Sequence, residues 1–379
     1  MESQINLQDH SCCHEGCPDY GKRGLGNIVI KERYGKNDRA LLKCRTCGHC
    51  FSETRGTIFF GLNTPEKEVL DVLAQLVEKG SIRGVARATK HDKNTICRWL
   101  KKAAEHCRAV NKYFLHNLHL TQVQIDEIWS FCKKQKNVTC TDPEDVGDIY
   151  SLTVINSESR LMICHHEGSR SVEDANALFR DLEQKRAVGS SLPVFVSDDW
   201  DPFAHALLEV YGIMETPAYK GTGRKPNPVL IPHPDLKYAQ IIKNKTNNEV
   251  VGIFHRVVFG DPNEVIELLC PEAKGHVHTS YIERMNLTFR NHLARFIRKT
   301  MNFSKDRRIH TGAIDFFQAW YNLIKPHDSL KIEINIDMME VGFQQNPKKW
   351  IFQTPAMVEL LADHVWTMKE LMNWKVPIQ

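Results

Sequence analysis

The sequence contains no long apolar run and no apolar segment at its start. No stretch of the 379 residues approaches the roughly 18 to 20 consecutive apolar residues of a membrane-spanning helix. The beginning, Met-Glu-Ser-Gln-Ile-Asn, also lacks the apolar core of a signal peptide. We therefore expect an intracellular protein without a membrane partner.

The chain also has little net charge, +4, but its positive charge is concentrated in two segments. Residues 79–113 contain ten Lys and Arg against Asp92 and Glu105, a balance of +8. Residues 284–308 contain eight against Asp306, a balance of +7, so the rest of the chain carries about −11. Ordinary solvated helix faces would mix both signs. Concentrated positive charge on an otherwise acidic protein is typical of a surface that binds a polyanion.

Four cysteines near the start form two close pairs, Cys12 with Cys17 and Cys44 with Cys47, across a 26-residue spacer. Two such knuckles separated by a hairpin are typical of a zinc ribbon, in which Zn²⁺ has four tetrahedral ligands. So short a segment builds only a small apolar core. Metal binding would therefore supply its folding free energy.

The first knuckle offers alternative ligands, because Cys13 and His14 directly follow Cys12. We expect His49 and Cys50 to be bystanders, although Cys50 could replace a ligand. The other six of the twelve cysteines are scattered, and we expect buried thiols there: Cys97, Cys107, Cys132, Cys140, Cys164 and Cys270.

A helix-turn-helix is predicted after the ribbon. Thr64–Glu66 has the cap, proline and acid that begin a helix, which we expect to continue to Gly80. Residues 81–100 then predict a short helix, a polar turn and a second helix. The start of the second helix carries polar side chains that would reach base edges in the major groove, namely Lys93, Asn94, Thr95, Arg98 and Lys101. A plain helical hairpin is the alternative.

Two aspartates occupy positions where a charge is unusual. Asp126 belongs to residues 123–130, an alternating segment typical of a strand, where a charge must be paired, hydrated or metal-bound. Asp198 follows the apolar run 192–196. It therefore stands at the carboxyl end of a predicted buried strand, where ligand sites of open α/β sheets lie.

Glu283 stands near the start of a strongly basic segment, residues 278–300. We expect a helix from about Ser280, with one face carrying Glu283 and Arg290 and another built from apolar residues, namely Ile282, Leu287, Leu293, Phe296 and Ile297. The helix macrodipole alone would favour an acid at this position. Carboxylates from three separate elements favour instead a site for Mg²⁺, which prefers oxygen ligands.

The segments between the two aspartates predict an α/β arrangement. Residues 149–155 and 161–164 predict a hairpin, and residues 171–183 predict an amphipathic helix that begins after a capping serine. The expected order is three strands, a helix, a strand ending at Asp198 and a further helix. We also expect an aromatic stripe to be core rather than a base-stacking surface, namely Phe316, Phe317, Trp320 and Tyr321.

Three segments, residues 124–130, 196–202 and 281–293, the last followed by residues 298–305, resemble the three acidic blocks of prokaryotic DDE transposases. The most similar family is the insertion-sequence-one family, and the resemblance covers nearly the whole chain. It implies a ribonuclease-H-like fold and catalytic metal ions, Mg²⁺ or Mn²⁺, bound by Asp126, Asp198 and Glu283. It also implies that Arg290, seven residues after the glutamate, contacts DNA phosphate or metal-bound water. Arg284 is a further candidate for catalytic support or phosphate binding, and Arg295, Arg298 and Lys299 are candidates for DNA binding. Cys12 is favoured over Cys13, because its spacing to Cys17 matches the related knuckle.

The implied function is that of a DNA transposase, which binds the terminal inverted repeats of an insertion sequence. It would catalyse metal-dependent strand cleavage and then transfer to target DNA by transesterification. Its partners would be double-stranded DNA and further copies of the chain, as a homodimer or higher oligomer, in the cytoplasm (nucleoid) of a prokaryote. A DNA-binding regulator with an inactive catalytic domain and a junction-resolvase-like nuclease are the alternatives. All three acids favour activity, and a resolvase would not need the ribbon.

The chain departs from the family pattern in one respect, because 85 positions separate Asp198 from Glu283. A Gly/Pro/Lys loop at 216–228 and a hairpin about residues 247–249 predict an insertion, as in a longer branch of the family. Asp198, which follows a serine as in the family, is preferred over Asp199.

The predicted architecture is multidomain α+β. It comprises a zinc ribbon (1–60), a helix-turn-helix domain (61–115), a ribonuclease-H-like α/β catalytic domain (116–335) with an inserted β-hairpin region (about 215–270), and a helical C-terminal tail (336–379).

Overall fold

The computed structural model describes residues 5–132, 147–219, 221, 224–247, 249–270, 277–334 and 350–377. The chain divides into two compact units. The first comprises Met1–Tyr113, Gly312–Trp320 and Trp366–Gln379, and the second comprises Phe114–Thr311 and Tyr321–Val365. The finer division into four domains stays a prediction.

The first unit begins with a three-stranded antiparallel sheet in the order β1 (Ile28–Tyr34), β2 (Arg39–Cys44) and β3 (Cys50–Ser52). Its core is small and contains Ile28, Ala40, Leu42 and Phe51 together with three of the cysteines. The expected hairpin between the two cysteine pairs is thus present.

Three helices follow the small sheet: α1 (Glu66–Val77), α2 (Ile82–Thr89) and α3 (Lys93–Phe114). Ser81 caps α2, and Lys90 ends it in the left-handed conformation at φ 60°. The predicted Thr64 cap of α1 is wrong. The helix begins one residue later than expected, with Pro65 as its N-cap and no side-chain cap, and it ends at Val77 rather than continuing to Gly80.

The second unit contains the main sheet. Its first elements are β4 (Gln122–Cys132), β5 (Gly147–Asn156), β6 (Met162–Gly168), α4 (Val172–Lys185), β7 (Val194–Asp198) and α5 (Asp201–Tyr211). This order agrees with the sequence expectation. Ser171 caps α4 as expected, in a reciprocal capping box with Asp174.

The segment between α5 and the basic helix forms β8 (Gly212–Glu215), β9 (Val229–Pro232), β10 (Lys237–Thr246), β11 (Glu249–Phe259) and α6 (Pro262–Leu269). The hairpin predicted about 247–249 is present, with Asn248 itself outside the described residues. Lys220, Thr222 and Gly223 of the predicted loop also lie outside the described residues.

The six long strands of the second unit form one sheet in the order β11-β10-β7-β4-β5-β6. Strands β4, β5 and β6 are antiparallel, whereas β7 is parallel to β4 and β10 is parallel to β7. The expected insertion is therefore not wholly separate from the α/β core, because β10 extends the main sheet beside β7. An apolar core of this unit contains Val123, Ile125, Phe179, Phe195 and Phe203.

The remaining elements are α7 (Ser280–His292), α8 (Arg307–Leu323), β12 (His327–Glu333), β13 (Trp350–Gln353), α9 (Pro355–Val358) and α10 (Met368–Asn373). The C-terminal tail is therefore not wholly helical, because β13 pairs with β12. Residues 335–349 of the predicted catalytic domain and tail lie outside the described ranges. The aromatic stripe of α8 is buried as core, as expected. No helix among the described residues is long and apolar enough to cross a membrane.

The scattered cysteines follow the prediction in part. Cys107, Cys132 and Cys164 are buried, whereas Cys97 and Cys270 are only half-buried, which corrects the expectation for these two. Cys140 lies outside the described residues.

Candidate active site

Asp198 and Glu283 come together where β7 ends and α7 begins. The sheet places Asp198 at the last position of β7, and Glu283 lies in the first turn of α7. The Thr279 hydroxyl joins them, since its Oγ1 lies 3.0 Å from Asp198 Oδ1 and 3.2 Å from Glu283 Oε1. The macrodipole of α7 favours Glu283 here. It does not by itself explain the second carboxylate.

A lysine that the sequence reasoning missed lies between these two acids. Lys243 Nζ is 3.1 Å from both carboxylate oxygens of Asp198 and 2.5 Å from Glu283 Oε1. Burial alone would lower the pKa of Lys243, but the two carboxylates raise it above its usual value. A cation is therefore already favoured between Asp198 and Glu283.

Asp126 approaches the same helix from β4. Its Oδ1 accepts a hydrogen bond from the Glu127 backbone N–H at 2.8 Å, and its Oδ2 accepts one from Asn286 Nδ2 of α7 at 2.6 Å. Burial, followed by the negative charges of Glu127 and Asp198, raises the pKa of Asp126 to about 8. A carboxyl group in this state lacks sufficient positive charge nearby.

Gln124, two residues before Asp126, fixes the start of α7 against β4. Its Oε1 accepts hydrogen bonds from the backbone N–H groups of Tyr281 and Ile282 at 3.1 and 3.0 Å. Its Nε2 donates to the His278 carbonyl at 2.8 Å. The fully buried side chain thus satisfies N–H groups that a helix start leaves unpaired. Nothing in the local sequence pattern singles out this role.

Asp199, the alternative to Asp198, contacts a different group. Its Oδ1 accepts a hydrogen bond from Arg256 of β11 at 2.9 Å, and Arg256 also contacts Asp201 at 3.3 Å. Arg256 pairs across the β10–β11 ladder with Gln240. Since side chains alternate along a strand, Gln240 faces away from Lys243. Asp198, and not Asp199, therefore shares the Lys243 ammonium with Glu283.

The expected basic helix is shorter than predicted. It ends at His292, so Leu293 and Phe296, although buried, lie beyond it in a turn and a 3₁₀ segment (Ala294–Phe296), with Ile297 after them. Leu287 does not contribute to the apolar face, because it is 45% exposed. The buried face contains Met285 and Asn286 together with Ile282 and Phe289.

The basic side chains of this segment differ in their surroundings. Arg284, Arg298 and Lys299 are exposed, whereas Arg295 donates a hydrogen bond to the Ile309 carbonyl at 2.9 Å. Arg290 is half-buried, and within the described part of the chain its buried Nε has no hydrogen-bond partner. Burial, followed by the charge of Arg298, lowers the pKa of Arg290.

Two of the three predicted metal ligands meet at the sheet end, because Asp198 and Glu283 share Lys243 and Thr279, whereas Asp126 is hydrogen-bonded to Asn286 and to the Glu127 backbone. Among the described residues, the four cysteines alone form a group of three or more ligand atoms close enough to hold one metal ion. Asp126, Asp198 and Glu283 supply carboxylate oxygens, which Mg²⁺ and Mn²⁺ favour. The ammonium group of Lys243 shows that Asp198 and Glu283 favour a cation between them, whereas the pKa of Asp126 is raised first by burial and then by the neighbouring negative charges of Glu127 and Asp198.

The predicted zinc ligands Cys12, Cys17, Cys44 and Cys47 form one cluster in the first unit, with all four Sγ atoms within 4.8 Å of one another. The Cys12–Cys47 and Cys17–Cys44 Sγ distances are 3.5 and 3.9 Å. A tetrahedron with Zn–S bonds of about 2.3 Å has S–S edges of about 3.8 Å, so the cluster fits Zn²⁺. Cys13 is not part of it.

The predicted DNA-reading residues lie at the start of α3. Lys93, Asn94, Arg98 and Lys101 are exposed, and Thr95 is half-buried and accepts a hydrogen bond from Arg98 at 3.3 Å. The opposite side of the helix buries Ile96, Trp99 and Leu100.

The comparisons with known proteins give one family. A family model described as IS1 transposase matches residues 271–321, a segment that contains Glu283 and Arg290. No curated protein matches the chain.

Two similar solved structures are the Mos1 strand transfer complex and a pre-cleavage Mos1 transpososome. The first has 11% identity and a TM-score of 0.15, with 37% of this chain and 54% of that chain covered. The second has 13% identity and a TM-score of 0.15, with 39% and 58% covered. The chain thus spans somewhat more than half the length of these proteins. Over residues 271–321 the chain resembles the DDE transposases of the IS1 family.

Proposed function

We propose that this protein is a DDE-type DNA transposase, which binds the terminal inverted repeats of an insertion sequence and catalyses strand cleavage and transfer to target DNA. The observation that carries the proposal is that Asp198 and Glu283 both contact the Lys243 ammonium. Asp126 is linked to the helix of Glu283 through Asn286. The family match over the segment containing Glu283 supports it.

The sheet supports a ribonuclease-H-like catalytic domain. Three antiparallel strands, β4 to β6, are followed by a helix and by β7, which returns parallel to β4. Asp126 and Asp198 thereby lie on adjacent strands, and α7 brings Glu283 to the end of β7. This arrangement brings Asp198 and Glu283, 85 positions apart in the sequence, to one end of the sheet, with Asp126 on the neighbouring strand.

Asp126, Asp198 and Glu283 are proposed to hold Mg²⁺ or Mn²⁺ through their carboxylate oxygens. When bound, two such ions stabilise the attacking and leaving oxygens of an in-line displacement at phosphorus. Asn286 holds the Asp126 carboxylate, and Gln124 holds the first turn of α7, so Glu283 is positioned before metal binds. Both are positioning residues.

Basic side chains are proposed to bind DNA around these acids. Arg290 has a buried Nε without a partner in the described residues, and it lies two turns after Glu283 on the same helix. We infer that its guanidinium receives a phosphate oxygen, with Arg284, Arg298 and Lys299 adding contacts from exposed positions. Arg295 has a structural hydrogen bond, which leaves it a smaller part in DNA binding.

The first unit is proposed to recognise the element ends. The α2–α3 pair has the short helix, left-handed turn and longer second helix of a helix-turn-helix, and polar side chains are exposed at the start of α3. The four-cysteine cluster is proposed to bind a structural Zn²⁺ that folds the ribbon. Acting on two DNA ends would require at least two copies of the chain.

Three single substitutions test the catalytic proposal: Asp126→Asn, Asp198→Asn and Glu283→Gln. Each should reduce Mg²⁺-dependent nicking of a duplex carrying the element end by at least about 100-fold, because each removes a charged metal ligand. Gel-shift affinity for the same duplex should stay within about twofold of wild type. The duplex sequence is to be taken from any inverted repeats found on either side of the reading frame.

Asp199→Asn is the matched control, because Asp199 adjoins Asp198 but contacts Arg256 instead. It should nick at a rate close to that of wild type. Full nicking by Asp198→Asn would remove Asp198 from the site. Wild-type protein that binds the ends but neither nicks nor transfers them would favour a DNA-binding regulator, and nicking without strand transfer would favour a nuclease.

A further inference from the structure

The position of Lys243 follows from the unequal lengths of two parallel strands. Strand β7 ends at Asp198, whose partner on β10 is Ile241, but β10 continues to Thr246. Side chains two residues apart on a strand share a face. Lys243 therefore lies on the same face of the sheet as Asp198 and Ile241. It is the first residue of β10 on that face beyond the end of β7.

From this position the ammonium contacts three carboxylate oxygens, two from Asp198 and one from Glu283. The Lys243 side chain is only 25% exposed, so water screens these contacts incompletely. Without such a cation, two carboxylates that share the Thr279 hydroxyl would repel each other.

The other aspartate at this strand end has a cation of its own. Arg256 contacts Asp199 and Asp201, and its ladder partner Gln240 faces away from Lys243. The two cations are thus assigned to different acids. Lys243 alone, within the described residues, forms ion pairs with both Asp198 and Glu283.

We propose that Lys243 is an internal competitor of the divalent cation, holding Asp198 and Glu283 together in the metal-free protein and leaving them when metal binds. The proposal rests on the proposed function, in which these two acids are metal ligands. A lysine suits this exchange, because its ammonium is a point charge on a flexible stem and commits to no bidentate geometry.

Competition has two measurable consequences. Metal binding to wild type includes the cost of breaking the ammonium contacts, so affinity should rise when Lys243 loses its charge. The metal-free protein should become less stable in the same variant, because Asp198 and Glu283 then repel each other. Saturating metal should restore most of that stability, since a ligand stabilises the state that it binds.

The experiment titrates Mn²⁺ into the full-length, zinc-loaded protein and follows free Mn²⁺ by electron paramagnetic resonance. Buffers are cleared of metal with a resin rather than a soluble chelator, so that the cysteine cluster keeps its zinc. Lys243→Met should bind Mn²⁺ roughly tenfold more tightly than wild type, a change of about 1.4 kcal/mol. Its melting temperature should be below that of wild type without Mn²⁺ and should approach it at saturation.

Arg256→Met is the matched control, because it removes the same charge near the same strand end without touching Asp198 or Glu283. Lys243→Arg keeps the charge and should keep weak Mn²⁺ binding. If Mn²⁺ affinity rises equally in Lys243→Met and Arg256→Met, the proposal that Lys243 competes with the metal is wrong. The effect would then come from the loss of any positive charge near the site. If Lys243→Met folds poorly, Lys243→Gln gives the same comparison.

Two further variants separate this proposal from the proposed function. Glu283→Gln and Asp198→Asn should each weaken Mn²⁺ binding. If they do, and Lys243→Met binds like wild type, only the competition is wrong. If neither weakens Mn²⁺ binding, the acids are not ligands, and the proposed active site falls together with the competition.

Discussion

The two polar clusters of this protein are built in opposite ways. The four cysteines lie within 36 consecutive residues and surround a small sheet, whereas Asp126, Asp198 and Glu283 come from elements spread over more than 150 residues. The thiols have polar support from nearby in the sequence, since the Asp19 backbone N–H lies 3.4 Å from Cys17 Sγ and Asn27 Nδ2 lies 3.9 Å from Cys44 Sγ. The acids require Gln124, Asn286, Thr279 and Lys243 to hold them.

This difference implies different effects on stability. The cysteine cluster contributes folding free energy when it binds metal, because its small sheet has little apolar core. Among the acids, Asp126 opposes folding when it is ionised, because burial and the negative charges of Glu127 and Asp198 disfavour its charged form. Residues placed for chemistry commonly reduce stability in this way.

The largest expected effect is unfolding of the predicted zinc ribbon when one of the four clustered cysteines is replaced. Cys44→Ser should abolish stoichiometric zinc and unfold the small sheet, since structural Zn²⁺ contributes on the order of 10 kcal/mol in small zinc domains. Zinc content by mass spectrometry and protection of β1 and β2 from hydrogen exchange measure it. Cys13→Ser, next to a cluster member, is the control and should keep both. Loss of zinc in Cys13→Ser would contradict the assignment of Cys12.

A smaller effect of opposite sign, a gain in stability, is expected for Asp126→Asn in zinc-loaded protein without added Mg²⁺ or Mn²⁺. The pKa of Asp126 is about 8 in the fold, against 3.8 unfolded, so folded protein keeps a proton that the unfolded chain releases between these values. Stability contributed by the neutral acid is therefore lost as the pH rises from about 4 to 8.

Asp126→Asn should thus stabilise the metal-free protein by about 2 to 4 kcal/mol at pH 8.5 and by little at pH 4. Thermal melts across this pH range, in zinc-loaded protein, provide the measurement. Glu158→Gln, an exposed acid in the β5–β6 turn, is the control and should show no such pH dependence. A stabilisation that is the same at both pH values would show that the charge of Asp126 is not its source.

The sequence predicts much of this architecture because its signals are local. Alternation marks β4, the serine cap marks α4, and the cysteine spacing marks the cluster. Errors arise where tertiary contacts replace a local signal. Thr64 is a residue type that commonly caps helices, but it does not cap α1. Leu287 fits the helical spacing of the apolar residues, but it remains exposed.

The support of the candidate site is what the sequence could not predict. Lys243 reaches Asp198 only because β10 pairs in parallel with β7 and extends beyond it, a register between strands about 40 residues apart. Gln124 meets the start of α7 over a separation of 157 residues. A polar residue in a strand carries no mark of such a partner. The acids stand out in the sequence because a carboxylate is unusual within a strand, after an apolar run and at the start of a basic helix, whereas Gln124 and Lys243 give no comparable signal.

A moderate loss of stability is expected for Gln124→Leu. This change removes support from the acid site and leaves the cysteine cluster untouched, so it tests the difference between the two clusters. The change leaves two N–H groups of α7 and the His278 carbonyl without their partner, at a cost of about 2 to 4 kcal/mol. Hydrogen exchange at Tyr281 and Ile282 should accelerate. Gln122→Leu, on the same face of β4, is the control and should change little. Equal protection in both variants would mean that Gln124 does not fix α7.

The smallest expected effect concerns Cys50, three residues after the exposed ligand Cys47. Its Sγ donates to the Gly48 carbonyl at 3.6 Å and is not part of the thiol cluster. Cys50→Ser should therefore keep full zinc and change the unfolding free energy by less than about 0.5 kcal/mol. The informative comparison is Cys47→Ser with and without Cys50→Ser, measured by zinc content. If Cys50 can replace Cys47, the single variant keeps partial zinc and the double variant loses it. Equal loss of zinc in both variants would show that Cys50 cannot replace Cys47. The cysteine cluster would then tolerate no substitute ligand, as is expected for the three acids.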